Sequence, residues 1–229
     1  MKFKVKLTGL GVYSASKALE HPDRNDGEDW HAHGLRTWTE HCHVNSKGYV
    51  VMPVFGIKNG LDATAQFRGM KVKGAGKRTY GKIFQAGIIL QAENPLLLIG
   101  GKPIKLSELT DDLMEWVYCD SKGEKGGSNP KVLRPYPNFH DWSTEFELET
   151  IDPRITSDVL IEHLVAMGMF NGMGRYRAQK GGCHGRFQVT VDGKACSKTV
   201  VAMSTDEEES VEPVEPKTKK AKKEELETD

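Results

Sequence analysis

The stretch from 142 to 193 restricts the fold more than any other. WSTEFELETID alternates Phe146 and Leu148 with acidic residues, the period of a strand with one buried face. Asp152-Pro153 turns the chain. Thr156 or Ser157 then stands where a helix N-cap belongs, with Asp158 in the first turn. Leu160, Ile161, Leu164, Val165 and Gly168 fall along one side of a helix. Glycines end that helix, and GRFQVTVDG reads as a further strand.

Strand, helix, glycine loop and strand in this order make half of a ferredoxin-like βαββαβ fold. The other half is fainter. Phe3, Val5 and Leu7 alternate with Lys2, Lys4 and Lys6 as a half-buried strand does, and YVVMPVF reads as a second strand. Pro53 and Gly56 break it before a short helix at about 58–68. GMKVKGAGKRTYGK is expected as a loop or hairpin, and FQAGIILQAENPLLLIG as one or two strands. The expected class is α+β, with a ferredoxin-like (RRM-like) βαββαβ core, long insertions and a glycine-rich loop before the last strand. The insertions fall at about 14–43, which has little periodicity, and about 121–138, a polar and exposed excursion. A nucleic-acid-binding domain is expected over 1–203.

Charge divides the chain. From Ser204 onward there are ten acids and five bases, which leaves 27 basic and 22 acidic residues in the body. The segment 204–229 has no aromatic residue and too little apolar surface to offset the entropy of ordering, so a disordered tail is expected. Its acids suit a contact with a protein partner or with the chain's own basic surface; a solubilising role is the plainer alternative. No run reaches the length of apolar sequence that crosses a bilayer, and the first residues interleave bases with apolar residues. A cytoplasmic protein without membrane contact is expected. Cys42, Cys119, Cys183 and Cys196 contain no CxxC pair and no disulfide framework.

Two basic, glycine-punctuated stretches carry the functional signal. Segment 172–187 contains Gly172, Gly174, Gly181 and Gly182 with Arg175, Arg177, Lys180 and Arg186, and no acid. Glycines let backbone approach a phosphate chain, cations supply charge, and Tyr176 is of a type that stacks on bases. Segment 68–82 holds Arg68, Lys71, Lys73, Lys77, Arg78 and Lys82, again without an acid, with Tyr80 as its stacking candidate. Like charge at this density calls for an anionic partner. Gly76-Lys77 is followed by Arg78 rather than Ser or Thr, so this is no phosphate-binding loop of the nucleotide-hydrolysing kind.

His31, His33, His41 and His43 are the catalytic candidates. On extended chain they would pair by face, but their spacing matches no established zinc signature, and neither metal nor cofactor is expected. Trp30 and Trp38, set in the polar insertion, are stacking candidates, whereas Trp116 and Trp142 suit a core.

Met52-Pro53 with Lys58-Asn59-Gly60-Leu61 opening a helix resembles the IPGSS-x-KG-type element of the RAMP (repeat-associated mysterious protein) superfamily. Val54-Phe55-Gly56 stand where that pattern has Gly-Ser-Ser. Segment 172–187 resembles the superfamily's glycine-rich loop, and the two come in the right order. The resemblance implies an RRM-like fold similar to the backbone subunits of CRISPR effector complexes, which polymerise along guide RNA, or to a phage or mobile-element relative. It also implies that the 14–43 stretch is the finger-like insertion that follows the first strand, and that a basic helix region and the glycine loop contact RNA. An endoribonuclease of the same superfamily uses an early histidine as general base, for which the four insertion histidines are the candidates.

The expected function is therefore non-catalytic binding of single-stranded RNA or DNA, RNA favoured, with copies associating along the strand. A RAMP-type endoribonuclease is the first alternative. A structural or assembly protein with acidic protein partners is the second.

Overall fold

The computed structural model describes residues 1–19, 23–120 and 131–196. The tail expected over 204–229 and the 121–130 part of the second insertion lie outside the described residues. Sixteen short elements follow one another, and the chain is of α+β class.

β1 (Lys2–Gly9) has the expected alternation, with Phe3, Val5 and Leu7 buried and Lys2 and Lys4 exposed. β2 (Tyr13–Ser14) follows, then α1 (Trp30–Thr37). β3 (His43–Val44) and β4 (Val50–Val51) form a small ladder. α2 spans Val54–Arg68, four residues longer at its start than the sequence suggested. Proline suits the position just before a helix, and the Asn94 side chain accepts the Val54 N–H at 2.8 Å, so the helix opens at Pro53. YVVMPVF is accordingly strand only at Val50–Val51.

α3 (Gly81–Gly87) occupies residues expected as loop and strand; β5 (Ile88–Leu90) and β6 (Leu98–Ile99) are the two strands of that region. β7 (Lys102–Pro103) precedes the ribbon of β8 (Met114–Asp120) and β9 (Lys131–Phe139). The 131–138 stretch, expected as an exposed excursion, is thus a paired strand with Tyr136 and Asn138 buried. Then come β10 (Trp142–Thr150), α4 (Ser157–Ala166), β11 (Phe187–Val191) and β12 (Lys194–Cys196). Thr156 is the cap of α4, its side chain accepting the Val159 N–H.

The main sheet runs β12-β11-β1-β10-β6-β7, all antiparallel, with β5 also pairing β10. One face buries Val5, Leu7, Phe146, Leu148, Val189 and Val191 in a cluster shared with Ile57 and Leu61 of α2, Phe84 of α3, and Leu160 and Leu164 of α4. The other face is polar. Lys2, Lys4 and Lys6 stand opposite Glu149, Glu147 and Glu145, and Lys6 reaches Glu145 at 3.0 Å.

The 14–43 insertion builds a second layer. β2 pairs with β9, and α1 lies against the β8–β9 ribbon. Gly34 permits this, since a Cβ there would sit 2.7 Å from the Pro135 ring. His31 stacks on Trp116 at 4.5 Å. Asp29 caps α1 by accepting the Ala32 N–H at 2.7 Å.

Candidate nucleic-acid interface

β1 and α4 both run to the same end of the sheet, so the turn after α4 and the segment leading into α2 meet there. Chain leaves α4 through a π-turn at Met167–Asn171, and the Asn171 side chain donates to the Gly60 carbonyl at 3.2 Å. Gly60 has no room for a side chain because the Met167 methyl lies over it. The glycine-rich loop is thereby fastened to the first half of α2.

Between them lies a cleft of about 370 Å³. Gly56, Asn59, Gly60 and Ala63 of α2 form one wall; Gly172, Met173, Gly174, Arg177, Gln179 and Lys180 form the other; Tyr13 and Ser16 close one end. Among the described residues two cations and no carboxylate line it. The small α2 side chains leave helix backbone within reach of a ligand, and Arg177 and Lys180 offer charge at the lip.

The loop's glycines serve packing more than phosphate capture, which corrects the sequence expectation. The N–H groups of Gly172, Met173, Arg175, Lys180, Gly181, Gly182, His184 and Gly185 all donate within the protein. Gly174 has φ +77°, and a Cβ there would collide with the Ser14 carbonyl; at Gly185, φ +70°, it would collide with Met173.

The stacking candidates also change. Tyr176 has φ +53° and its hydroxyl is buried without a partner, the ring edge-on to Tyr136 and His184. Tyr80 is buried, donates to the Arg154 carbonyl, and packs edge-on to Phe84 and His163. Neither ring lies open to a base. Trp38 is buried as well, whereas Trp30 is 54% exposed. Sequence reasoning missed Phe55 and Phe67, 81% and 71% exposed on α2, and Phe170, 44% exposed after α4. Phe67 and Phe170 lie 6.3 Å apart. Phe55 and Phe67 flank Asn59 and Ala63 along α2, about 120° apart around the helix, and stand outside the residues that line the cleft. Large apolar residues at otherwise polar helix positions were the available signal.

Arg175 does not line the cleft. Its guanidinium sits 3.8 Å above the Tyr136 ring, and its N–H bonds the Ser14 carbonyl. Arg186 is exposed where the loop runs into β11. The second basic stretch stands elsewhere. Lys71, Lys73, Lys77, Arg78 and Lys82 are exposed, but they follow the far end of α2, and Arg78 and Lys82 lie beside Asp152 and Arg154. Arg68 is paired with Glu162 and lies mostly covered. At about 1.5 Å per residue, the stretch of α2 from Gly60 in the cleft wall to Arg68 at its end covers about 12 Å.

The four histidines disperse. His31 is stacked on Trp116 and His43 belongs to β3, whereas His33 and His41 share a separate cavity of about 300 Å³ between α1 and β9. Burial, helped by the nearby charges of Arg175 and Arg134, pushes the His41 imidazole below its ordinary value despite a bond from its Nδ1 to the Lys17 carbonyl. Burial likewise lifts the Tyr136 phenol and the Cys42 thiol to about 12, so Cys42 is no thiolate nucleophile. Among the described residues no three His, Cys, Asp or Glu side chains converge as metal ligands, and no helix is long and apolar enough to cross a membrane. No protein-family model and no curated protein matches this chain.

Proposed function

We propose that this protein binds single-stranded nucleic acid, RNA ahead of DNA, in the cleft between α2 and the glycine-rich loop, and does not cleave it. The observation that carries the reading is the meeting of two sequence elements at one acid-free cleft. The Met52–Pro53 and Lys58–Leu61 element and the 172–187 loop are remote in sequence, yet Gly60 and Asn171 are bonded. Phosphates would lie against Arg177 and Lys180, and bases against Phe55, Phe67 and Phe170, since any base can stack on an aromatic face.

A ferredoxin-like core is supported by the order β11-β1-β10 followed by β5 and β6, which is the 4-1-3-2 order of a βαββαβ unit with α2 and α4 as its helices. Kinship with the RAMP superfamily rests on this order and on the two elements. The open sheet face is an unsuitable platform for a strand, because its lysines stand opposite glutamates and it presents no aromatic residue among β1 and β10.

The direct test is protein purified without nuclease, examined by its 260/280 absorbance ratio and by anisotropy with labelled single-stranded RNA, single-stranded DNA and duplex. Saturable binding to single strands at low salt, with the RNA recovered intact, is expected. No binding at low salt would overturn the reading. Discrete RNA products that vanish on His33→Ala or His41→Ala would replace it with the endoribonuclease. Oligomers that form without nucleic acid and capture acidic protein would favour an assembly role.

A further inference from the structure

The cavity between α1 and β9 is set apart from the cleft but joined to it by contacts. Ser16 lines the cleft, and the next residue, Lys17, holds His41 Nδ1 through its carbonyl at 2.8 Å. His41 packs on Tyr136 at 4.8 Å, and Arg175 from the glycine loop lies 3.8 Å from the centre of the same ring. The cavity is thereby tied to both the cleft end and the loop.

Its chemistry is that of a site for a flat, polar ring. Trp30, Leu133 and Pro135 give apolar walls; His33, His41 and Arg134 give polar ones; among the described residues no acid lines it. His33 is only 5% exposed, and its Nε2 is buried without a hydrogen-bond partner. An unpartnered buried ring nitrogen is unfavourable in the protein alone and marks where a ligand group belongs. The Lys17 carbonyl takes the Nδ1–H of His41, which leaves Nε2 of the neutral ring as an acceptor. Guanidinium groups of Arg24 and Arg134 lie 4.6 and 5.8 Å from the centre of the Trp30 ring. The wall thus offers an aromatic surface, cationic donors and a ring-nitrogen acceptor. A volume of about 300 Å³ is ample for one base and too small for two stacked ones with their sugars.

We infer that this cavity receives a single nucleobase, turned out of a strand lying in the cleft, which stacks on Trp30 and hydrogen-bonds to His33 and His41. The inference rests on the strand-binding reading for the source of the base. The chemistry would also admit the base of a free nucleotide. A base with both a carbonyl and a ring N–H, guanine or uracil, suits the donors and acceptor together better than adenine.

The test uses the full chain and single-stranded RNA in which each nucleotide in turn is replaced by an abasic one. At one position the abasic change is expected to weaken binding about tenfold, within the range of one base stacked on an aromatic side chain. That penalty should vanish in Trp30→Ala and shrink in His33→Gln, while the salt dependence stays as in the wild type. Trp30 is 54% exposed, so its truncation leaves the core intact, which a thermal melt checks. Abasic penalties of equal size in wild type and both variants would overturn the pocket and leave strand binding standing. If no oligonucleotide binds, quenching of Trp30 fluorescence by guanosine or uridine monophosphate, absent in Trp30→Phe, would keep the base pocket and remove the strand. Neither binding nor quenching would overturn both.

Discussion

Arg177→Ala with Lys180→Ala removes the two cations that line the cleft. For a single strand each neutralised phosphate contributes about 0.7 to the slope of log affinity against log salt. The double variant should therefore lose about 1.4 from that slope. Between about 50 and about 200 mM salt the wild type would then shed about sevenfold more affinity than the variant. The far basic end provides the contrast. Its lysines lie past the end of α2, about 12 Å or more along the helix from the cleft wall, and a stacked strand advances about 3.4 Å per nucleotide, so about four or more nucleotides separate the two sites. Anisotropy titrations with oligonucleotides of about 4 and about 15 nucleotides separate the contributions. Lys71→Ala, Lys73→Ala and Lys77→Ala together should leave the short oligonucleotide unaffected and reduce the slope for the long one by about 2. The cleft variant should reduce the slope for both. An unchanged slope in the cleft variant would refute the assignment of phosphate contacts there. Equal effects of the lysine triple on both lengths would place the primary site at the other end of the helix.

Gly174→Ala forces a side chain into a positive-φ position and against the Ser14 carbonyl. Unfolding midpoints should show a loss of roughly 2 kcal/mol or more, and a wild-type midpoint would mean that the loop is not held as described. Lys4→Ala with Lys6→Ala removes two positive charges from the open sheet face, where they oppose Glu147 and Glu145; strand affinity should be unchanged, and a loss comparable with the cleft variant would move the interface to the sheet. His163 is buried against Phe84 with its Nδ1 on the Val159 carbonyl, and burial brings it from 6.5 to about 4. The unfolded chain takes up this proton first, so its contribution is complete above about 6.5 and is lost as pH falls towards 4. The span corresponds to on the order of 3 kcal/mol, and urea titrations across it should be visibly flatter for His163→Leu; an unchanged pH profile would mean that the ring is hydrated.

The second half of the core was legible because each signal there is local. Alternation along β10 and β11, the Thr156 cap and the α4 stripe all agree with the burial that resulted. α1 was not legible, because its buried positions are His33, Gly34 and Thr37, which leave no apolar stripe. Its footing is the Pro135 and Trp116 surface of a ribbon about a hundred residues later, which no short window contains. β9 was disguised by Pro135 and Pro137, which argue against a central strand. Both are tolerated where one neighbour, β2, reaches only Phe139 and Asn138. At the site, the basic stretches were visible as charge, but only the chain's path shows that α2 holds them apart. The aromatic candidates failed for a related reason. Tyr80 stands beside cations in sequence, yet its ring is buried, and the half-buried Tyr176 packs edge-on to Tyr136 and His184, while Phe55 and Phe67 stand exposed on a helix expected only from about residue 58.

A division of labour follows from these placements. Glycines of the loop are fixed by contacts with Ser14, Met173 and Tyr176, and most of its N–H groups point inward. A loop so tied is a poor adaptable clamp but a good rigid mount, and rigid mounting reduces the ordering that binding must bring about. What it mounts differs on its two sides. Arg177 and Lys180 face the cleft, where charge acts on any phosphate regardless of base. Arg175 lies instead over Tyr136, near His41, whose imidazole is pushed below its ordinary value by burial first, with the charges of Arg175 and Arg134 adding to it. Under the proposed function, three cations within six residues would serve both a base-blind and a base-dependent contact. Arg175→Lys, which retains charge but loses the planar stack, should therefore leave the salt slope intact and weaken only the penalty for the abasic nucleotide. A change in slope without a change in that penalty would show that the two sides of the loop act as one.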